Sequence, residues 1–405
     1  MTRAAGHRLR EQGGFTIIEL LMSSLIMLVV TGAIFSLMNP AEGTFQKEPE
    51  VSDLQQRLRV GVDSLNKDLV MAGAGTYAGE MAGALSYFIA PVMPYVAFGD
   101  VTDPSKGVYF RDDVISLVFV PPTPAQTTIS QAMPPKSAEI KVNAQPNCPP
   151  TKGQELCGFS PGQHAIIFDE SGNWDMFTVT QVQDPAVHMQ HRADAFSVGY
   201  SANSALTQIV TAMYYFKPNA AGGNTPPQLM YFDGWDVDLP VVDNVVKLQF
   251  RYFGEPQPPQ MTGKALSTKP GPWTTYGPVP PDLGIVKGTT YPAGENCTIK
   301  VVAGQQVARL PVLGAGGLAQ VELTKADLTD GPWCPSDDKP NRFDADLLRI
   351  RRIQVTLRVQ AALSTMRGPA GVLFMNGGTA TSGTKMIPDQ EVTFDVTPRN
   401  MNLGR

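Results

Sequence analysis

Glu19 stands inside an otherwise apolar run, Phe15 to Met38, where a carboxylate is expensive. At the centre of a bilayer it costs about 2.5–3.5 kcal/mol, and less near a helix end. An opposite charge offsets that cost, so the chemistry Glu19 points to is charge pairing in low dielectric. Four cysteines come next. Cys148 and Cys157 bracket a turn-rich loop, and Cys297 and Cys334 bracket a longer one. Three connectivities are formally possible, and local bracketing predicts 148–157 and 297–334. Neither pair has the C-x-x-C spacing of a zinc knuckle, so no metal is expected there. His188 and His191, with Asp184 or Asp194, could converge on a metal if they lay on one helix face. They fall between strands without an H-E-x-x-H frame, and hydrogen-bonded or solvated histidines are the expectation. Asp330, Asp337 and Asp338 gather carboxylates near Cys334 but lack the spacing of a calcium-binding EF-hand loop. No G-x-S-x-G elbow accompanies a triad. Gly73-Ala74-Gly75 trails a helix and no Lys-Ser pair follows it, which excludes a phosphate loop. The chain is therefore expected to have no catalytic residue, metal or cofactor, and an anchored periplasmic enzyme is the alternative of another class.

These groups must be positioned by a helix and then by sheet. From Phe15 to Met38 the 24 residues would form a helix about 36 Å long, enough to span a bilayer. Arg3, His7, Arg8 and Arg10 precede it, so residues 1–14 are expected in the cytoplasm and the rest outside. The run is too long for an ordinary secretory signal, and no A-x-A-like site closes it. Pro40 and Gly43 predict a break in helicity, giving a linker over 39–49. Val51, Leu54, Leu58, Val62, Leu65 and Leu69 then follow three- and four-residue spacing, which predicts an amphipathic helix with one buried face. Strands are predicted at Val114–Val120, His164–Phe168, Trp174–Val182, Ile209–Phe216, Leu229–Phe232, Val245–Phe253, Ile353–Val359 and Val392–Val396, short runs rich in β-branched and aromatic residues. A helix over antiparallel sheet is an α+β fold. Proline-rich stretches around 121–136 and 254–296 read as surface insertions.

The 405 residues carry a net charge of −5. Without residues 1–14, which hold three Arg and one Glu, 29 basic and 36 acidic side chains remain, a net of −7. That balance argues against a broad nucleic-acid surface. The densest basic set, Arg349, Arg351, Arg352 and Arg358, is scattered by strand alternation over two faces. An adhesin or DNA-uptake subunit would have to use the inserted loops.

Gly14-Phe15-Thr16-Ile17-Ile18-Glu19 resembles the class III signal of type IV pilins and type II secretion pseudopilins. The resemblance implies cleavage between Gly14 and Phe15 by a prepilin peptidase, N-methylation of Phe15, and retention of the apolar helix. It also implies that Glu19 meets the positive amino terminus of a neighbouring subunit. Three further stretches are similar to PilW-type minor pilins and the related J-type pseudopilins: Arg57 to Gly73, Val241 to Tyr252, and Pro398-Arg399-Asn400 with Leu403. The last of these is interrupted by Met401-Asn402. Together they imply a subunit with a cleaved leader (1–14), a membrane helix (15–38) and a pilin-like periplasmic α+β domain (50–405). Its role would be to prime filament assembly at the inner membrane, near the tip. The implied partners are other minor and major pilins, the peptidase and methylase, and the inner-membrane assembly platform; a J-type role would place the same chemistry in a secretion pseudopilus.

Overall fold

The computed structural model describes residues 14–73, 89–97, 109–121, 125–145, 148–149, 153–169, 173–192, 195–219, 225–258, 281–284, 289–314, 319–339, 342–381, 383–398 and 401; within 37–46 and at 185 and 384 it describes the backbone alone. The leader before Gly14, most of the 254–296 insertion, residues 74 and 75, and Arg399, Asn400 and Leu403 lie outside these residues. Residues 1–54 with 361–388 form one compact unit, and 55–360 with 389–405 form a second.

A single α-helix runs from Ile17 to Met71, 55 residues, or about 80 Å at 1.5 Å per residue. Its first part, Ile17–Ser36, has a mean hydropathy of 2.3 and is entirely unburied. The expected break at 39–49 is absent: the backbone stays helical through Pro40, Gly43 and Pro49. Each proline removes one amide donor and crowds one carbonyl four residues back. With long helical stretches on either side the ladder is already nucleated, so an isolated lost bond need not end it.

In the second unit Leu65, Leu69 and Ala72 are fully buried, with Gly61 on the same face. That face meets two antiparallel sheets. The five-stranded sheet runs in the order Val92–Met93, Val114–Phe119, Val210–Lys217, Gln228–Phe232, Asp238–Asp243. The four-stranded sheet runs Val321–Leu323, Val245–Gly254, Ile350–Val359, Gln390–Val396. At Gly61 a Cβ would come within 2.7 Å of Leu357, 3.2 Å of Val242 and 3.7 Å of Leu229, so the helix crosses where the two sheets adjoin. The phenol of Tyr214 donates to the Asp68 carboxylate (2.8 Å) and the Ser64 carbonyl (3.1 Å), tying the helix to the first sheet.

The stretch Val241–Tyr252 is divided between the two sheets. Asn244 has φ +59°, a left-handed conformation that Asn tolerates better than most residues. It turns the chain from one sheet into the other, and its carbonyl accepts the Gln360 amide (2.9 Å).

The strands predicted at 164–168 and 174–182 belong to neither sheet. With Gln126–Thr128, Glu139–Lys141, His188–His191 and Ala205–Gln208 they make a separate six-stranded antiparallel sheet. Its two outer strands meet through an Ile129–Val142 bridge, with Ser130 N donating to Lys141 O (2.9 Å) and Asn143 N to Thr128 O (2.8 Å). The sheet thus closes into a small barrel around Ile129, Ile140, Leu156, Ile167, Phe177, Val179, Met189 and Leu206. Much of the predicted 121–136 loop is therefore the barrel's opening edge. Pro134 and Pro135 lie between the Met133 bridge and the Glu139 strand, at a turn where a missing amide costs little.

Candidate functional site

The residues that carry the sequence motif are brought together at the helix start. Gly14, Phe15 and Thr16 precede the first helical residue, and Phe15 is 89% exposed. A Cβ at Gly14 would meet no heavy atom within 4 Å, so the Gly14–Phe15 peptide is accessible. Thr16 and Glu19 form a capping box. The Thr16 amide and hydroxyl both donate to Glu19 Oε2 (3.0 and 2.8 Å), and the Glu19 amide donates to Thr16 Oγ1 (3.3 Å). The T-x-x-E spacing is a known helix-start signature, and it is legible in the sequence beside the apolar run. Among the described residues Glu19 has no oppositely charged partner.

Both cysteine pairs are bonded, Cys148 to Cys157 and Cys297 to Cys334, with Cα separations of 5.7 and 5.2 Å. The first closes a loop of the barrel lobe. The second joins the segment before the Ile299–Val302 strand to the Trp333–Cys334 strand.

The histidines do not converge. On the strand His188–His191 they point to opposite faces. His188 pairs with Glu139, while His191 is buried beside Phe196 (4.4 Å) with Nε2 2.6 Å from the Ser137 carbonyl. Asp184 is occupied in accepting the Leu156 amide (2.7 Å). Strand alternation accounts for three of the four arginines: on Ile350–Val359, Arg351 is buried while Arg352 and Arg358 face the other way, against Asp395 (2.6 Å) and Asp389 (3.0 Å). Arg349 ends the short helix Ala345–Arg349 instead of lying on the strand, and is buried.

Arg349 is fully buried and donates to Asp346 and to the carbonyls of Pro256 (3.0 Å) and Pro311. It thereby gathers the two ends of the 256–311 excursion. Beside it, carboxylate oxygens of Asp330, Asp344 and Asp346 lie within 4.8 Å of one another. Asp337 and Asp338, singled out in the sequence, are absent from this cluster: Asp338 accepts from Ser336. Asp344 caps the short helix Ala345–Arg349, accepting from the amides of Asp346 (2.8 Å) and Gly331 (2.7 Å). Burial, then the Asp346 and Asp330 charges, push its carboxyl up to about 7, against amide bonds that lower it. Burial raises Asp346 to about 6, partly offset by Arg349. Such oxygens could ligate a hard cation, but capping and the arginine already account for two of the three side chains.

Comparison of the chain with protein-family models, curated proteins and solved structures found no match.

Proposed function

We propose that this chain is a minor pilin, cut by a prepilin peptidase between Gly14 and Phe15 and acting in the initiation of type IV pilus assembly at the inner membrane, near the filament tip. One observation carries the reading: an exposed Gly14–Phe15 junction leads directly into a capped helix whose first 20 residues are apolar and unburied, yet which holds Glu19 in its first turn. The capping box gives that carboxylate one role, and its Oε1 is left over for a second. Both Thr16 bonds fall on Glu19 Oε2, so the ammonium of a neighbouring Phe15 can approach Oε1 without dismantling the cap. The same helix enters the sheet body through its second half, which couples the membrane segment to a folded domain outside the cytoplasm. The two disulfides suit an oxidising compartment. Other minor and major pilins would be its neighbours in the filament, and the assembly platform its partner in the membrane.

Intact mass and amino-terminal analysis of the membrane-extracted chain, expressed with and without its native prepilin peptidase, tests this reading. A methylated Phe15 terminus that appears only with the peptidase is expected. A chain that keeps Met1 in both cases would overturn it.

A further inference from the structure

Residues 361–388 share a compact unit with the amino-terminal helix up to Leu54. The Ala362 amide donates to Glu50 on that helix, and Lys47, Glu50, Val51 and Leu54 form its partly or fully covered stripe. In a chain of net charge −5 this stretch holds Arg367 and Lys385 and no carboxylate. It also carries the sequence Val372-Leu373-Phe374-Met375 at a turn. Phe374 folds back against Gly368 and Met386, where a Cβ on Gly368 would come within 2.7 Å of the ring. Val372 and Leu373, by contrast, are 91% and 60% exposed, and Leu363 is 51% exposed.

The turn is fixed. Gly371 N donates to Phe374 O (2.8 Å), Gly378 N to Gly368 O (2.8 Å) and Ile387 N to Met366 O (2.8 Å). Gly378 allows the two sides to close, because a Cβ there would lie 2.2 Å from Ser364 O. A rigid turn presenting exposed aliphatic side chains, in a stretch that holds exposed Lys385 and half-buried Arg367 and no carboxylate, is chemically complementary to an anionic lipid interface.

We propose that this turn seats in the headgroup layer of the bilayer crossed by its own helix. This rests on the helix being a membrane anchor. Glu50 lies 14 residues beyond Ser36, about 21 Å along the helix. The headgroup layer occupies roughly 5–8 Å of that rise, leaving a gap of about 15 Å. Ala362 to Leu373 is eleven residue steps, at most about 36 Å if extended and less with the turn closed between Gly368 and Phe374, so such a gap lies within reach. Seating the turn would hold the helix at a set depth and rotation, and extracting the subunit would then require the turn to leave the lipid.

The test uses the full chain in vesicles of phosphatidylcholine with phosphatidylglycerol. The native cysteines are bonded in pairs, so single variants Leu373→Cys, Val302→Cys and Val29→Cys take a nitroxide label selectively. Expected is an oxygen-to-nickel-chelate accessibility ratio at 373 several-fold above that at 302, falling when Arg367→Gln and Lys385→Gln are combined. A label at 373 as open to the chelate as that at 302, with 29 immersed, overturns the loop's seating and leaves the anchor standing. A label at 29 that is open to the chelate overturns both. Shielding at 373 that persists without lipid and brings spin–spin coupling between labels would assign the turn to a second copy of the chain, which also overturns the proposal.

Discussion

A Glu19→Gln chain separates the two roles of that residue, because Gln at the third helical position serves a capping box as Glu does but carries no charge. The helix start should be unchanged, with amide exchange at residues 17–20 as slow as in the parent. Incorporation into filaments, assayed by co-purification with the sheared filament, should be lost; equal incorporation would remove charge pairing from the account. Asp344 yields a prediction of a different kind. Its carboxyl is raised from 3.8 to about 7, so the fold holds its proton more tightly than the unfolded chain does. Its contribution to stability is therefore complete below 3.8 and is lost as pH rises through about 7, and Asp346, raised to about 6, adds loss of the same sign. The limiting slope is about 1.4 kcal/mol per pH unit. The thermal midpoint should fall between about pH 4 and about pH 7, and Asp344→Asn should flatten that fall. An identical fall in both proteins would show that this carboxyl does not titrate there. The sequence makes Glu19 conspicuous, because a charge stands out in an apolar run. It hides the Asp330, Asp344 and Asp346 cluster, because adjacency favours Asp337 and Asp338 while a short helix and a strand bring the distant residues together.

The long helix shows what periodicity can and cannot say about an element. Its buried stripe at Leu54, Leu65 and Leu69 is legible from spacing alone. Its continuity through Pro40 and Pro49 is not, since proline's local penalty is visible in a sequence and the cooperativity of the flanking ladder is not. Gly61 is the residue most easily misread. As a poor helix former it looks like a weakness, yet it is a point at which the helix and both sheets approach closely. Gly61→Leu would drive four extra carbons into Leu357 and Val242, and overpacking of that kind costs about 1–3 kcal/mol. Chemical unfolding of the detergent-solubilised chain should show that loss. Gly61→Ala, whose added methyl meets the movable end of Leu357 and gains helix propensity, should lose markedly less. Equal losses in the two variants would mean that backbone conformation, not space, selects glycine here.

At the scale of the molecule, the strands inferred from alternation are mostly present, but alternation says which side chains face inward and is silent on which sheet owns them. The chain passes from the barrel strand Ala205–Gln208 into the sheet strand Val210–Lys217 across Ile209 alone, with no Pro or Gly linker to mark the boundary. The barrel thereby escapes a linear reading, though it has a core of its own and a closed ladder. Its ends are favourably placed for removal, because Phe119 and Val210 are direct cross-strand partners in the five-stranded sheet. Replacing residues 121–208 with a short Asn-Gly turn would convert a long excursion into a hairpin. The barrel also contacts the sheet body where His164 stacks on Trp235 (4.4 Å) and Arg192 faces Asp236 (3.7 Å). The stack is worth about 0.5–1.5 kcal/mol, and the ion pair, exposed on both sides, at most about 1 kcal/mol. These are small beside the helix and sheet contacts that would remain. The shortened chain should therefore reach the membrane, form the Cys297–Cys334 bond, and give a non-reducing mobility shift on thiol reduction, as the parent does. If it instead accumulates reduced or is degraded, the barrel is part of the folding core and its self-contained appearance is misleading. If it folds and is processed yet no longer supports filaments, the barrel is where this subunit meets something that the helix and the two sheets cannot supply.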